Sequence, residues 1–336
     1  MQKIKLAIVG CGKVTETFHL PVADLSDEFD VIAVVDKHLP QARKLAEKYN
    51  IPLVEDDFKN IIGKVDAAVV ALPHHLHGSV GVKLLQNGIH VLVEKPVALK
   101  LSECDKMINA SQSLGKILSV GLLRRYYEAS VFIKRMLDNK MLGNIISFDF
   151  REGHIFNWNS ASDFMFRKFA GGGVLVDAGA HALDTLLWWL GDYEEVEYFD
   201  DAMGGVEANA EIHLFMKSGA KGMVELSRTR NLRNTYIING DLGSLEVGLG
   251  VNPEIRLYTG SRDLHFSGQI IKNTMDKNNK AVFERQLSDF AKAIKNKKPP
   301  FITGTEGRRS VELIETCYAY KRVLKEPWLL NVKESL

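Results

Sequence analysis

Three cysteines in 336 residues, Cys11, Cys104 and Cys317, are too few and too scattered for a disulfide framework, and none stands in C-x-x-C spacing. That pattern also argues against a structural zinc site and suits a reducing cytoplasm, the compartment expected here. Charge of one sign is lacking too. Lys plus Arg total 43 against 42 Asp plus Glu, so no global field favours nucleic acid or an anionic membrane. Any anionic partner has to be recognised locally. No apolar run reaches the 18 residues of a membrane helix. The start, MQKIKLAIVGCG, runs from a short apolar stretch into glycines with no signal-peptide cleavage pattern. A soluble chain is expected, and neither an internal repeat nor a low-complexity tract interrupts it.

What is present is enough apolar material, 46% of the chain, for a sizeable core, in a length that exceeds one ordinary domain. Short β-branched runs at 5–10, 29–36, 64–72, 89–95 and 117–122 alternate with helix-like segments at 13–25, 39–49, 75–87 and 101–114. Alternation at this interval predicts right-handed crossovers and a parallel, doubly wound sheet, a Rossmann-type α/β domain over residues 1–123. After about residue 125 the rhythm changes. A helix at 127–139, an aromatic and polar loop up to Ala170 and an apolar helix at 174–190 precede strands at 207–216, 220–228, 234–241, 244–249 and 254–260. Tight turns such as KSGA and GDLGS between them mean antiparallel pairing. Residues 124–336 are therefore expected to form an α+β domain with one large, mainly antiparallel sheet, closed by helices at 281–295 and 305–324.

Gly10-Cys11-Gly12-Lys13-Val14-Thr15 falls where the first strand turns into the first helix. Gly10 allows the tight turn, and Gly12 lets a pyrophosphate approach backbone N–H groups at the helix start. Asp36, ending the second strand, is placed to bind both ribose hydroxyls of an adenosine half, which favours NAD; Lys37 and His38 beside it leave NADP open. Leu72-Pro73-His74-His75-Leu76-His77 and Glu94-Lys95-Pro96 follow two further strands. Ligands bind outside the carboxyl ends of parallel strands, so these four strand ends converge on one crevice. Three histidines in four residues raise the question of a metal, yet no carboxylate shares their loop and nothing sets a ligand geometry. No metal is expected.

GCGKVT, LPHHLH, VLVEKP and GGGVLVDAGAHALD, in this order and spacing, resemble the glucose-fructose oxidoreductase, inositol dehydrogenase and MocA family (Gfo/Idh/MocA) of nicotinamide-dependent dehydrogenases. The resemblance spans nearly the whole chain, with two departures: Thr15 replaces the last glycine or alanine, and His74 stands where asparagine is common. It implies a second domain like that of dihydrodipicolinate reductase. It also implies that Lys95 lies beside the nicotinamide and bonds the substrate hydroxyl that becomes the carbonyl, with a Lys95–Pro96 bond that is often cis. The cofactor contacts expected are Gly10, Gly12, Lys13, Val14, Asp36, Lys37, Leu72, Pro73, His74, His77, Glu94, Lys95 and Arg125.

Asp177 and His181 are four apart, so on a helix beginning after Gly171-Gly172-Gly173 they share a face. The carboxylate is expected to orient the imidazole, and the imidazole, with an unperturbed pKa of about 6.5, to take the hydroxyl proton. Lys95, Asp177 and His181 form the expected catalytic set. Arg124, His154 and Trp158 join them at the substrate, where a polar wall with one aromatic plate, including Arg151, Asn157 and Arg167, suits a sugar ring. Arg228 and Arg230 are read as sharing a strand face with Arg233 nearby, either to hold an anion or as a solvated surface. Trp188-Trp189 reads as helix core. The expected partner is a small carbohydrate, a sugar, cyclitol or sugar derivative, and the resemblance implies a homodimer or homotetramer. Two other readings remain open at this stage: a redox-neutral enzyme that recycles its NAD in place, and a cofactor-binding regulatory protein.

Overall fold

The β-branched runs of the first third, with a short additional strand, pair into one sheet because both their faces are apolar. A computed structural model describes residues 2–157, 163–259, 265–269 and 278–324; Trp158 lies outside the described residues. Strands β1 (Ile4–Val9), β2 (Phe29–Val35), β3 (Leu53–Glu55), β4 (Ala67–Val70), β5 (His90–Glu94) and β6 (Leu118–Gly121) stand in the order β3-β2-β1-β4-β5-β6. All five pairings are parallel. The order reverses at β1, so the crevice of an open parallel sheet lies between the ends of β1 and β4.

Ala7, Val9, Ala68, Val70, Val91 and Val93 face one layer, with Leu84, Cys104 and Met107 of helices α3 (His74–Gln86) and α4 (Leu101–Ser113). Alternate residues Leu6, Ile8, Val34, Val69 and Leu92 face the other, where Leu20 and Leu45 belong to α1 (Leu20–Asp24) and α2 (Leu39–Tyr49). The single helix expected over 13–25 is interrupted: Thr15–His19 form a π-helical turn before α1. Pro21 has no N–H to continue a regular ladder, which accounts for the break.

The second sheet has nine strands: β7 (Ile145–Gly153), β8 (Tyr193–Asp200), β9 (Asn209–Met216), β10 (Lys221–Ser227), β11 (Thr235–Gly240), β12 (Ser244–Gly248), β13 (Ile255–Tyr258), β14 (His265–Gly268) and β15 (Lys321–Val323). Their order is β14-β13-β12-β11-β7-β10-β9-β8-β15. Neighbours joined by tight turns are antiparallel, as their turns predict. Two pairs are parallel, β7 with β10 and β8 with β15, each between strands far apart in sequence, whereas β7 and β11, also far apart, pair antiparallel. One face carries α5 (Glu128–Asp138) and α6 (Ala180–Leu190), the latter entered through a π-helical turn at Leu175–Gly179. Leu183, Leu186 and Trp189 of α6 meet Phe150, Ile212 and Tyr236 of the sheet in one cluster, so the tryptophan pair is largely core.

Helix α7 (Asn279–Asn296) comes late in the chain yet packs on the first sheet's layer. Phe283, Leu287, Phe290 and Ala291 complete the α1–α2 core, and Phe283 stacks on Phe18 at 4.7 Å. Helix α8 (Gly304–Ala319) ends before residue 324, and β15 takes up the remainder at the sheet edge. The last segment thus ties both sheets together. The Lys95–Pro96 peptide is cis.

Candidate active site

Gly10 has φ +107°, and a Cβ there would stand 2.2 Å from the Ala71 carbonyl oxygen, so β1 and β4 approach as closely as only glycine permits. A Cβ at Gly12 would meet no atom within 4 Å. The entrance to the first helix is therefore open space. Asp36 accepts hydrogen bonds from Cys11 N (2.7 Å) and His38 N (2.8 Å), which aim its carboxylate across the glycine turn. Thr15, the departure from the usual small residue, is fully buried and donates its hydroxyl to the Gly10 carbonyl at 2.6 Å. It stabilises the turn from below and leaves the crevice open.

The crevice has a volume of about 580 Å³. Gly10, Gly12, Lys13, Val14, Asp36, Lys37, Leu72, Pro73, His74, His77, Glu94 and Lys95 all line it, with Phe164, Met165 and Asp177 from the second domain opposite. Arg125 does not. Its guanidinium is 2% exposed, gives two bonds to Asp184 (2.9 and 2.7 Å) and one to Glu306 (2.6 Å), and faces the Trp188 ring. Two carboxylates occupy the fork that a cofactor would need, so Arg125 braces α6 and α8 against the end of β6.

His74 Nδ1 is 2.8 Å from the Gly171 carbonyl, and His77 lies with each ring nitrogen 2.7 Å from a carbonyl, Pro96 and Leu72. Burial and the nearby Lys95 push the His74 imidazole down to about 3. It is neutral at neutral pH and donates to Gly171, pinning the glycine turn of the second domain against the first. Glu94 bonds His19 Nε2 at 2.8 Å; burial alone would raise its carboxyl, but His19 and Lys95 hold it below the ordinary value.

The Lys95 ammonium reaches across to the second domain. It donates to Asp177 Oδ1 at 2.7 Å and to the Asp177 carbonyl at 3.0 Å, while Arg228 donates to Asp177 Oδ2 at 3.0 Å. Burial would raise the Asp177 carboxyl, but the two cations outweigh it and hold the group well below the carboxylate range. This overturns the expected carboxylate–imidazole bond. Both carboxylate oxygens are engaged by cations, and buried His181 Nδ1 has no hydrogen-bond partner among the described residues. Burial, Lys95 and Arg124 drive the His181 imidazole well below 6.5, with Asp177 opposing. His181 is consequently held neutral at neutral pH.

Asp177 and Met165 also border a second pocket of about 290 Å³, lined by Glu152, His154, Phe156, Asn157 and Arg228. His154 and Asn157 thus stand where a substrate wall was expected. Arg124 gives two bonds to Glu152 (2.7 and 2.6 Å) and one to the Tyr236 hydroxyl (2.8 Å), so it supports this wall through a carboxylate. The other expected cations go elsewhere. Arg167 pairs with Asp163 in solvent, Arg151 with Asp149 and Glu225, Arg230 with Glu225 and Arg233 with Asp149. Arg228 and Arg230 do not share a strand face, because β10 ends at Ser227 and the backbone turns there. Glu152, Phe164 and Met165 were not foreseen as site residues: their recruitment depends on how the two sheets meet.

Residues 4–122 match the Gfo/Idh/MocA oxidoreductase family, NAD-binding Rossmann fold, and residues 131–246 match the Gfo/Idh/MocA C-terminal domain. The chain belongs to this family. A D-glucoside 3-dehydrogenase from Escherichia coli is 30% identical over 190 residues, 56% of this chain and 54% of that protein. That alignment therefore spans about half of the relative's length. A myo-inositol 2-dehydrogenase from Thermotoga maritima is 23% identical over 98% of this chain and 99% of its own. Among solved structures, a 3-ketoreductase from Actinomadura kijaniata in complex with NADP and TDP-benzene superposes with a TM-score of 0.85, at 19% identity, over 96% of this chain and 99% of that one. It shares the two-domain fold. No helix among the described residues is long and apolar enough to cross a membrane.

Proposed function

We propose that this member of the family transfers hydride between NAD(P) and a secondary alcohol or ketone of a sugar, cyclitol or sugar derivative. The observation that carries the reading is the Lys95–Asp177 contact at 2.7 Å, at the seam where the nucleotide crevice meets the second pocket. When bound, the nicotinamide supplies the hydride acceptor or donor at that seam. Gly12 and the helix start would hold its pyrophosphate, Asp36 the adenosine ribose, and Glu94 and Pro73 the nicotinamide half.

The remaining chemistry belongs to the chain's own side chains. An ammonium has three N–H donors. Two of those on Lys95 go to Asp177, leaving the third to bond a substrate hydroxyl and stabilise the alkoxide. His181, kept neutral by burial and by the Lys95 and Arg124 charges, accepts the hydroxyl proton during oxidation and returns it during reduction. Asp177 fixes the lysine; Arg228, bonded to Asp177 and to the Met165 carbonyl, fixes the carboxylate.

The three buried thiols suit a reducing cytoplasm, and the family resemblance supports a homodimer or homotetramer. The test is reduced-nicotinamide fluorescence after mixing the protein with NAD or NADP and a panel of cyclitols, free sugars, sugar phosphates and nucleotide sugars. Reduced cofactor with one class is expected. Cofactor that binds but is never reduced by any class would overturn the dehydrogenase reading.

A further inference from the structure

His77 is 0% exposed, and both of its ring nitrogens meet acceptors that carry no proton: the Pro96 carbonyl at Nδ1 and the Leu72 carbonyl at Nε2, each at 2.7 Å. A neutral imidazole has one N–H and one lone pair. In either tautomer one of these contacts would set two lone pairs against each other at hydrogen-bond distance. Only the imidazolium donates to both. We propose that His77 is held as an imidazolium strap, a proton-dependent positioning residue that ties the loop after β4 to the turn carrying Lys95.

The strap joins two segments that matter separately. Leu72 precedes Pro73 and His74 on the crevice wall, and Pro96 directly follows Lys95. The charged groups facing the ring are Glu94 and Lys95 from the end of β5; the neutral, titratable His74 of its own helix lies 5.8 Å away between ring centroids. Burial, the largest influence, and Lys95 outweigh the two carbonyls and the Glu94 carboxylate and pull the imidazole below its ordinary value; the two-sided contact is the geometric opposition to that shift. Even so, deprotonation inside this cage would require one carbonyl to move away, because there is no second donor to satisfy it. The two short contacts are therefore the signature of the protonated ring. The loss of that proton should free either the Leu72 or the Pro96 carbonyl and loosen the seam. The functional consequence rests on the role proposed for Lys95, whereas the protonation state does not.

The experiment is ¹⁵N spectroscopy of the full-length protein labelled at histidine, with NADH bound and free, at pH 6.5. The His77 signals are assigned by through-bond transfer, so the primary readout needs no variant. Both His77 nitrogens are expected at imidazolium shifts with attached protons; a single protonated nitrogen would overturn the strap. In parallel, NADH affinity is read from nicotinamide fluorescence for wild type and His77→Gln, whose amide reaches one carbonyl at that place but does not span both. The variant should bind NADH at least fivefold more weakly at pH 6.5, and its affinity should not change over the pH range in which wild-type His77 loses its second proton. An imidazolium whose loss leaves wild-type NADH affinity unchanged would overturn the positioning role. Neither arm needs the sugar substrate, so failure here is separable from failure of the proposed activity.

Discussion

His74 supplies a test in which sequence, burial and protonation meet. Its ring is 6% exposed, bonded at 2.8 Å to the Gly171 carbonyl and held neutral down to about pH 3. In the unfolded chain the same imidazole titrates near 6.5. Between those values the unfolded state binds a proton that the folded state refuses, so stability falls as pH drops below about 6.5. The slope is about 1.36 kcal/mol per pH unit, and at pH 5, roughly 1.5 units below the unfolded value, the penalty reaches about 2 kcal/mol. His74→Asn removes the titrating group and keeps an N–H for Gly171. Urea unfolding at pH 7.5 and pH 5 measures both proteins; contributions from the other histidines cancel in the difference. Wild type should lose about 2 kcal/mol more than the variant over this interval. Parallel losses in the two proteins would refute the argument that His74 is buried neutral.

Lys95→Ala should abolish turnover while NADH affinity, from nicotinamide fluorescence, changes little; normal turnover would remove the lysine from the chemistry. Gly12→Val should fold with stability within about 1 kcal/mol of wild type, since its Cβ meets nothing within 4 Å. Its NADH affinity should fall at least tenfold, and unchanged binding would show that the pyrophosphate runs elsewhere. Arg125→Met strands buried Asp184 without its hydrogen-bonded cation, while Glu306 keeps Arg309 at 3.7 Å, and should cost about 3 to 5 kcal/mol in urea unfolding. The folded variant should bind NADH normally, whereas a selective loss of binding would return Arg125 to the cofactor site. For His181→Ala, kcat should fall, and the acid limb of its pH profile, which burial places well below pH 6.5, should flatten; an unchanged profile counts against the role.

The alternation of apolar runs with amphipathic segments was enough to specify the parallel sheet, because strands covered on both faces have no polar side to show. GCGKVT, Asp36, LPHHLH and EKP were readable as one crevice for a related reason: the carboxyl ends of parallel strands all open on the same side. Sequence spacing misled where contacts are set by three-dimensional competition. Asp177 and His181 have helical spacing, yet the carboxylate goes to Lys95 and Arg228 because two cations outbid a neutral imidazole for its charge. Arg125 was expected at the cofactor and Arg124 at the substrate, but Asp184 and Glu306 capture the first and Glu152 the second.

By itself, then, the chain's sequence determined the family, the Rossmann sheet and the strand ends that carry chemistry, since these depend on local periodicity and short-range turn geometry. Only the tertiary structure decided which charges pair across the seam, that α7 returns to complete the first core, and that Phe164 and Met165 face the nucleotide crevice. Those outcomes depend on which groups are buried together, and burial is what makes an unpaired charge too costly to leave.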